Sequence, residues 1–331
     1  MENERNIFDS LHEEIMRSDL PDAEKSRRLS LLLKASSQKI NIMLVGATGS
    51  GKSSTINALF DMSVAKVGVG VDPETERIEK YELGNLTIWD TPGLGDTIEN
   101  DRSHVEQIIR KLSEGGDNGK LLIDLVLVVL DASSKDLAVS YDVINNTLIP
   151  CLGPENSHRI LIGINQSDMA MKGRHWDLEK NSPGPLLHDF LTMKADSVKR
   201  RVKEATGVTV KPVCYSAGYT DGEEKQNPYN LSKLLYYILM AVPAEKRLAL
   251  ADKLNTDEDN WKFNDADYTE AVRESFFSSL IKSVCDGADN GLFIGSCAFG
   301  IPGAVIGGLV GGIVGGLQTL VVKPLAKLIE L

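Results

Sequence analysis

Residues 46–55 read GATGSGKSST: three glycines and five hydroxyl side chains around one lysine. Gly46, Gly51, Lys52 and Ser53 fit the pattern G-x-x-x-x-G-K-[ST] at full spacing. Glycines let the backbone wrap inward so that several N–H groups converge on one anion. A helix starting near Lys52 would add the positive end of its dipole. The chemistry such a loop serves is the binding of a phosphate chain. Lys52 would reach the β- and γ-phosphates, and the Ser53 hydroxyl would ligate Mg2+. Thr48, Gly49, Ser50 and Ser54 complete the expected nucleotide-contacting set.

A lysine and a hydroxyl in those roles require an acidic group at the end of a neighbouring strand. The stretch LTIWDTPGLGD, residues 86–96, supplies Asp90, expected to hold Mg2+, and Gly93, whose N–H can meet a γ-phosphate with no side chain in the way. A third stretch, ILIGINQSD, residues 160–168, ends in Asn165 and Asp168. A carboxylate there can accept two hydrogen bonds from the guanine N1–H and exocyclic amine. Adenine lacks that donor pair, so Asp168 would select GTP over ATP.

Strands and helices must hold these groups together. An apolar run at 40–45 reads as a buried strand before the loop, and SSTINALF after it as a helix. Further strands are expected at 86–89, at 159–164, over LVLVVLD and, more weakly, at 77–83. Strands and helical stretches alternate from 39 to about 242, the α/β signature, with ligands at the carboxyl ends of the strands. Residues 1–38 form two amphipathic helical segments split by Pro21: Ile7, Phe8, Leu11, Ile15 and Met16 share one face, and Leu29, Leu32 and Leu33 another. From 243 to 331 no strand pattern persists. That region reads first as acidic and helical (252–267), then as apolar and glycine-rich.

The composition narrows the function classes. A net charge of −11 over 331 residues argues against broad nucleic-acid binding, and no DNA binding is expected. The four cysteines, Cys151, Cys214, Cys285 and Cys297, have neither metal-ligand nor pairing spacing, which suits a reducing compartment. No apolar signal segment opens the chain, so a cytoplasmic location is expected.

In their order, GATGSGKS, DTPG, NQSD and the later YSAGY resemble the P-loop GTPases of the Era-like (TRAFAC) class over residues 39–242. GATGSGKSSTINALF with NQSDMAMKGRHWD looks most like the bacterial YfjP-type predicted GTPases, and the loop is also similar to that of the immunity-related GTPases. The resemblance implies a Ras-like domain: a mostly parallel six-stranded sheet with one antiparallel edge pair and helices on both faces. It implies GTP as substrate, GDP as product and Mg2+ as cofactor. It gives Ser216 and Ala217 backbone contacts to the guanine, and makes Thr75 the switch threonine that joins Mg2+ and supports catalysis beside Lys52 and Gly93.

The pattern also departs from the family. Gln166 stands where a lysine usually covers the guanine face, and Leu94 where a glutamine positions water in Ras-type enzymes. Slow hydrolysis is therefore expected, with self-association as one source of the missing group. Residues 291–322 carry no formal charge, and Gly303, Gly307, Gly311 and Gly315 recur at helical spacing. With Lys323 and Lys327 following, a hairpin over 287–322 dipping into the cytoplasmic face of the inner membrane is expected; the rival is a soluble hairpin packed on the N-terminal helices. The reading is a GTP-driven switch, membrane-associated through its tail. The alternative is a soluble GTPase bound to a ribosome or other assembly.

Overall fold

The computed structural model describes residues 7–60, 62, 77–95, 97–116, 119–221 and 224–284. Thr75, Cys285, Cys297 and the glycine-rich stretch 287–322 lie outside the described residues.

Two helices come first, α1 (Ile7–Arg17) and α2 (Asp22–Ser36), with Pro21 capping the second. Leu11 and Leu32 are buried, with Phe8 and Ile15 packed against them. Met16 and Leu33 were expected on those faces but are 51% and 69% exposed. The buried stripe of α2 is Arg28, Leu32 and Ala35, an i, i+4, i+7 line, and Leu33 stands about 100° off it.

The site is carried by a sheet. After β1 (Ile40–Gly46) and α3 (Lys52–Leu59) come β2 (Glu79–Leu83), β3 (Leu86–Asp90), α4 (Ile98–Leu112) and β4 (Leu125–Asp131). Next are α5 (Ala138–Val143), a π-helical stretch (Ile144–Leu148), α6 (Ile149–Leu152) and β5 (Ile160–Asn165). A small hairpin of β6 (Trp176–Asp177) and β7 (Ser182–Pro183) precedes α7 (Pro185–Thr206) and β8 (Val213–Cys214). The hairpin of β9 (Tyr219–Asp221) and β10 (Glu224–Gln226), α8 (Leu231–Ala241) and α9 (Thr269–Val284) complete the order.

The six-stranded sheet runs β2-β3-β1-β4-β5-β8, parallel except for the edge pair β2–β3. Its central strands are apolar on both faces because both are covered. Ile40, Ile42 and Leu44 of β1 join Leu125, Leu127 and Val129 of β4 in the core beneath α3 and α8. Their neighbours Met43, Val45, Val126 and Val128 face the opposite core, with Ile108 of α4 and Leu187 and Val198 of α7. The alternation is the two-residue period of a strand. Strand order reverses at β1, which places the ligand crevice at the carboxyl ends beside that strand.

The segment after α8 departs from expectation. Residues 252–267 are not a helix: 3-10 turns at Ala244–Lys253 and Glu258–Trp261 are joined by irregular chain. Asp257 Oδ1 accepts from the Asp259 N–H (3.0 Å), and Asn255 Oδ1 from the Asp257 N–H (2.8 Å). Such local side-chain bonds compete with the helical ladder. The segment is nonetheless part of the core, with Leu254, Trp261, Val272 and Phe276 buried alongside β1 and β3.

Candidate functional site

The loop after β1 is shaped by close backbone approaches. Gly51, the N-cap of α3, sits in the left-handed region (φ 85°, ψ 33°), and no side chain caps the helix. Its first-turn N–H groups therefore remain for an anion. A Cβ on Gly46 would meet the Val129 carbonyl and Ser50 Oγ, and one on Gly93 would meet the Thr48 backbone and Oγ1. The Thr48 N–H donates to Leu94 O (3.1 Å), the Leu94 N–H to Gly46 O (3.2 Å), and the Ser50 N–H to Ala47 O (3.2 Å). Lys52 Nζ lies across the loop, donating to Gly46 O (3.1 Å) and Ala47 O (3.3 Å). Burial lowers its pKa, opposed by the charge of Asp90.

Asp90 ends β3 directly beside this loop. Ser53 Oγ donates to Asp90 Oδ2 at 3.4 Å. Asp90 is 4% exposed, and its Oδ1 is buried without a hydrogen-bond partner. Burial pushes its carboxyl up to about 6, against the pull of Lys52 and Ser53, and Glu79, opposite it on β2, adds to the rise. The next residue, Thr91, is locked by its Oγ1 donating to Leu44 O (2.7 Å). Carboxylate and hydroxyl oxygens are hard donors of the kind Mg2+ takes, and the orphaned Oδ1 fits a cation there.

The ends of β5 and β8 form the other wall. Asn165 Nδ2 donates to Ser50 O (3.0 Å), and Asn165 Oδ1 accepts from the Ala217 N–H (2.9 Å). One side chain thus joins the GATGSGKS, NQSD and YSAGY stretches. Asp168 is buried, with Oδ1 unpartnered. Ser216 and Ala217, expected to meet the guanine through backbone N–H groups, lie in this wall. The Ser216 N–H donates to Tyr229 O (3.0 Å) and that of Ala217 to Asn165 Oδ1 (2.9 Å), so both shape the wall through internal bonds.

Sequence reasoning missed Tyr215 and did not foresee the structural parts of Gln166 and Leu94. Gln166, at φ 59°, donates from Nε2 to Gly49 O (2.7 Å), so consecutive amides at 165 and 166 hold consecutive loop carbonyls. Tyr215 is fully buried, and its hydroxyl pairs with Thr55 Oγ1 (2.7 Å), which in turn donates to Gly51 O (2.7 Å). A Cβ on Gly163 would meet the Tyr215 ring, so that glycine is the sequence signal for the tyrosine's place. Leu94 takes part through its backbone alone, its side chain being 1% exposed in the core.

Comparison with known proteins bears on the same segment. Residues 41–166 match the family model described as 50S ribosome-binding GTPase. Over 156 residues the chain is 27% identical to the uncharacterized protein YkfA of Escherichia coli strain K12, covering 46% of this chain and 50% of that one. Over 108 residues it is 34% identical to immune-associated nucleotide-binding protein 7 of Arabidopsis thaliana, covering 30% and 33% respectively. The chain therefore spans half or less of the length of these curated relatives. The solved structure of Toc33 from Arabidopsis thaliana aligns with a TM-score of 0.42 at 18% identity, covering 65% of this chain and 84% of that one.

Proposed function

We propose that this chain is a GTP-binding switch of the Era-like (TRAFAC) class, similar to the YfjP-type GTPases, that hydrolyses GTP to GDP slowly. The observation that carries the reading is a pair of buried carboxylates, Asp90 and Asp168, each with an orphaned oxygen, on either side of an uncapped helix N-terminus. Burying a carboxylate without partners is costly, and a ligand relieves that cost. Lys52 and the first turn of α3 would take the phosphates, Asp168 the guanine edge, and Asn165 would hold the two walls in register. Ser53, Asp90 and, in the family pattern, Thr75 would hold Mg2+. The ion would neutralise charge developing on the phosphates. Gly93 would offer its N–H close to the terminal phosphate.

The test is base selectivity. The unaltered chain should bind GTP and not ATP, and Asp168→Asn should lose GTP and gain XTP, because an amide donor then meets the xanthine carbonyl. A chain that binds ATP as well as GTP sinks the guanine reading. Lys52→Ala should abolish binding of either guanine nucleotide.

Where the switch acts is a second question. Among the described residues no helix is long and apolar enough to cross a membrane. The proposed lipid contact at the cytoplasmic face rests on the uncharged sequence 287–322, and a homodimer on the need for a catalytic group. The family description favours the alternative, a GTPase seated on a ribosome or similar assembly. Sedimentation of the chain with vesicles or with ribosomes, with and without residues 287–331, separates the two.

A further inference from the structure

The C-terminal part of the chain closes over the far end of the phosphate-loop helix. A helix leaves its last carbonyls without intrahelical donors. Often a left-handed residue satisfies them locally, but α3 runs into Phe60 in extended conformation (φ −123°, ψ 149°). The donors come from about 200 residues further on. Asn255 Nδ2 donates to Asn57 O (2.8 Å), Asn260 Nδ2 to Ala58 O (3.2 Å), and the Asn255 N–H to Leu59 O (2.9 Å). Trp261 Nε1 in turn donates to Asn255 O (2.9 Å), and Leu254 bridges Phe60. Asn260 and Trp261 are 8% and 2% exposed and Asn255 is half-buried, so the Asn260 amide above all works away from water, where a lost partner is expensive.

Three consecutive carbonyls are thus held from outside the matched segment. The helix they terminate has eight residues, about 12 Å of stiff rod, and its other end presents Lys52 and Ser53. A displacement at the clasped end is a displacement at the phosphate end. We propose that Asn255 and Asn260 are positioning residues for that end, and that nucleotide occupancy is coupled to closure of residues 254–261 over α3. The inference rests on the GTP-binding reading. The coupling is reciprocal: a clasp that raises nucleotide affinity is itself tightened by nucleotide, by the same factor. Because α9 begins at Thr269, eight residues past Trp261, a force on the C-terminal region reaches the site by this route.

The experiment uses the full chain and a fluorescent GDP. Asn255→Ala and Asn260→Ala should weaken GDP binding about fivefold or more. The comparison variant is Ser279→Ala, whose hydroxyl accepts from the Leu248 N–H (3.1 Å) and holds C-terminal packing without touching α3. It should lower the melting temperature and leave GDP affinity unchanged. In the unaltered chain, GDP should slow amide hydrogen exchange across 255–261. Affinity losses that merely track the loss of melting temperature in all three variants would overturn the coupling, as would exchange at 255–261 that GDP does not move. An unaltered chain that binds no guanine nucleotide overturns both readings, whereas GDP binding untouched by Asn255→Ala removes this one alone.

Discussion

In the proposed site, Asp90 is where Mg2+ and a proton would compete. Its native carboxyl keeps its proton up to about pH 6, whereas the unfolded one releases it near the ordinary 3.8. Between those values the native state holds more protons, so this group makes stability fall as pH rises from about 4 through 6, and constant beyond. The difference corresponds to about 3 kcal/mol at neutral pH. Asp90→Asn should therefore raise the stability of the ligand-free chain above pH 6 and flatten that part of its pH profile, read by denaturant titration. The same change should abolish the gain in stability from GTP with Mg2+. Gln166 poses a different question, because its amide is spent on the loop carbonyl of Gly49. If the loop is its task, Gln166→Ala should weaken GDP binding more than guanosine binding, and Gln166→Lys, which keeps a donor, should restore it. Equal loss for both ligands in a calorimetric titration would return Gln166 to the base.

At the scale of elements, the loop and α3 were legible because each local signal agreed with the next. An apolar run makes β1, glycines permit the turn, and Gly51 occupies the left-handed position that begins α3. Two glycines of this loop predict different costs. Gly49 (φ 74°) has open space at its Cβ position, so Gly49→Ala should cost only the backbone strain, about 1–2 kcal/mol. Gly51 (φ 85°) faces Asn165 Nδ2, so Gly51→Ala should add displacement of the tie between the three motifs and a loss of GDP binding. Equal unfolding free energies for the two variants would contradict that tie. The stretch 252–267 was not legible, for a physical reason. Its acidic composition is compatible with a helix, but its asparagine amides are used by carbonyls of α3, 198 and 202 residues away in sequence. The internal commitments of Ser216 and Ala217 were equally hidden, since their acceptors, Tyr229 O and Asn165 Oδ1, come from other stretches of the chain.

For the whole molecule, the proposed hydrolysis needs a group that the residue after DTPG does not supply. The position after DTPG is not only chemically inert. Leu94 points into the core with Met43 and Ile108, while its backbone bridges Ala47, so that side chain never meets the crevice. If the chain hydrolyses GTP as proposed, a group from elsewhere would orient the attacking water or neutralise the phosphate charge. Arg77 is exposed, and Arg102 on α4 is also exposed and paired with Glu106 at 3.9 Å, an ion pair of small worth. Either is open to a second copy of the chain. If catalysis is completed in that way, GTP turned over per molecule should rise with protein concentration, because a group supplied in trans exists only in the dimer. An arginine arriving so can add roughly 10³ to 10⁵ in rate, so even a small dimer fraction would show. Confinement to vesicles should steepen the rise by increasing effective concentration. The measurement is GTP hydrolysis over a hundredfold range of enzyme, with and without vesicles, and with Arg77→Ala and Arg102→Ala. A rate that is fast and flat with dilution would place the group within the same chain. A rate that is slow and flat would assign it to a separate activating protein.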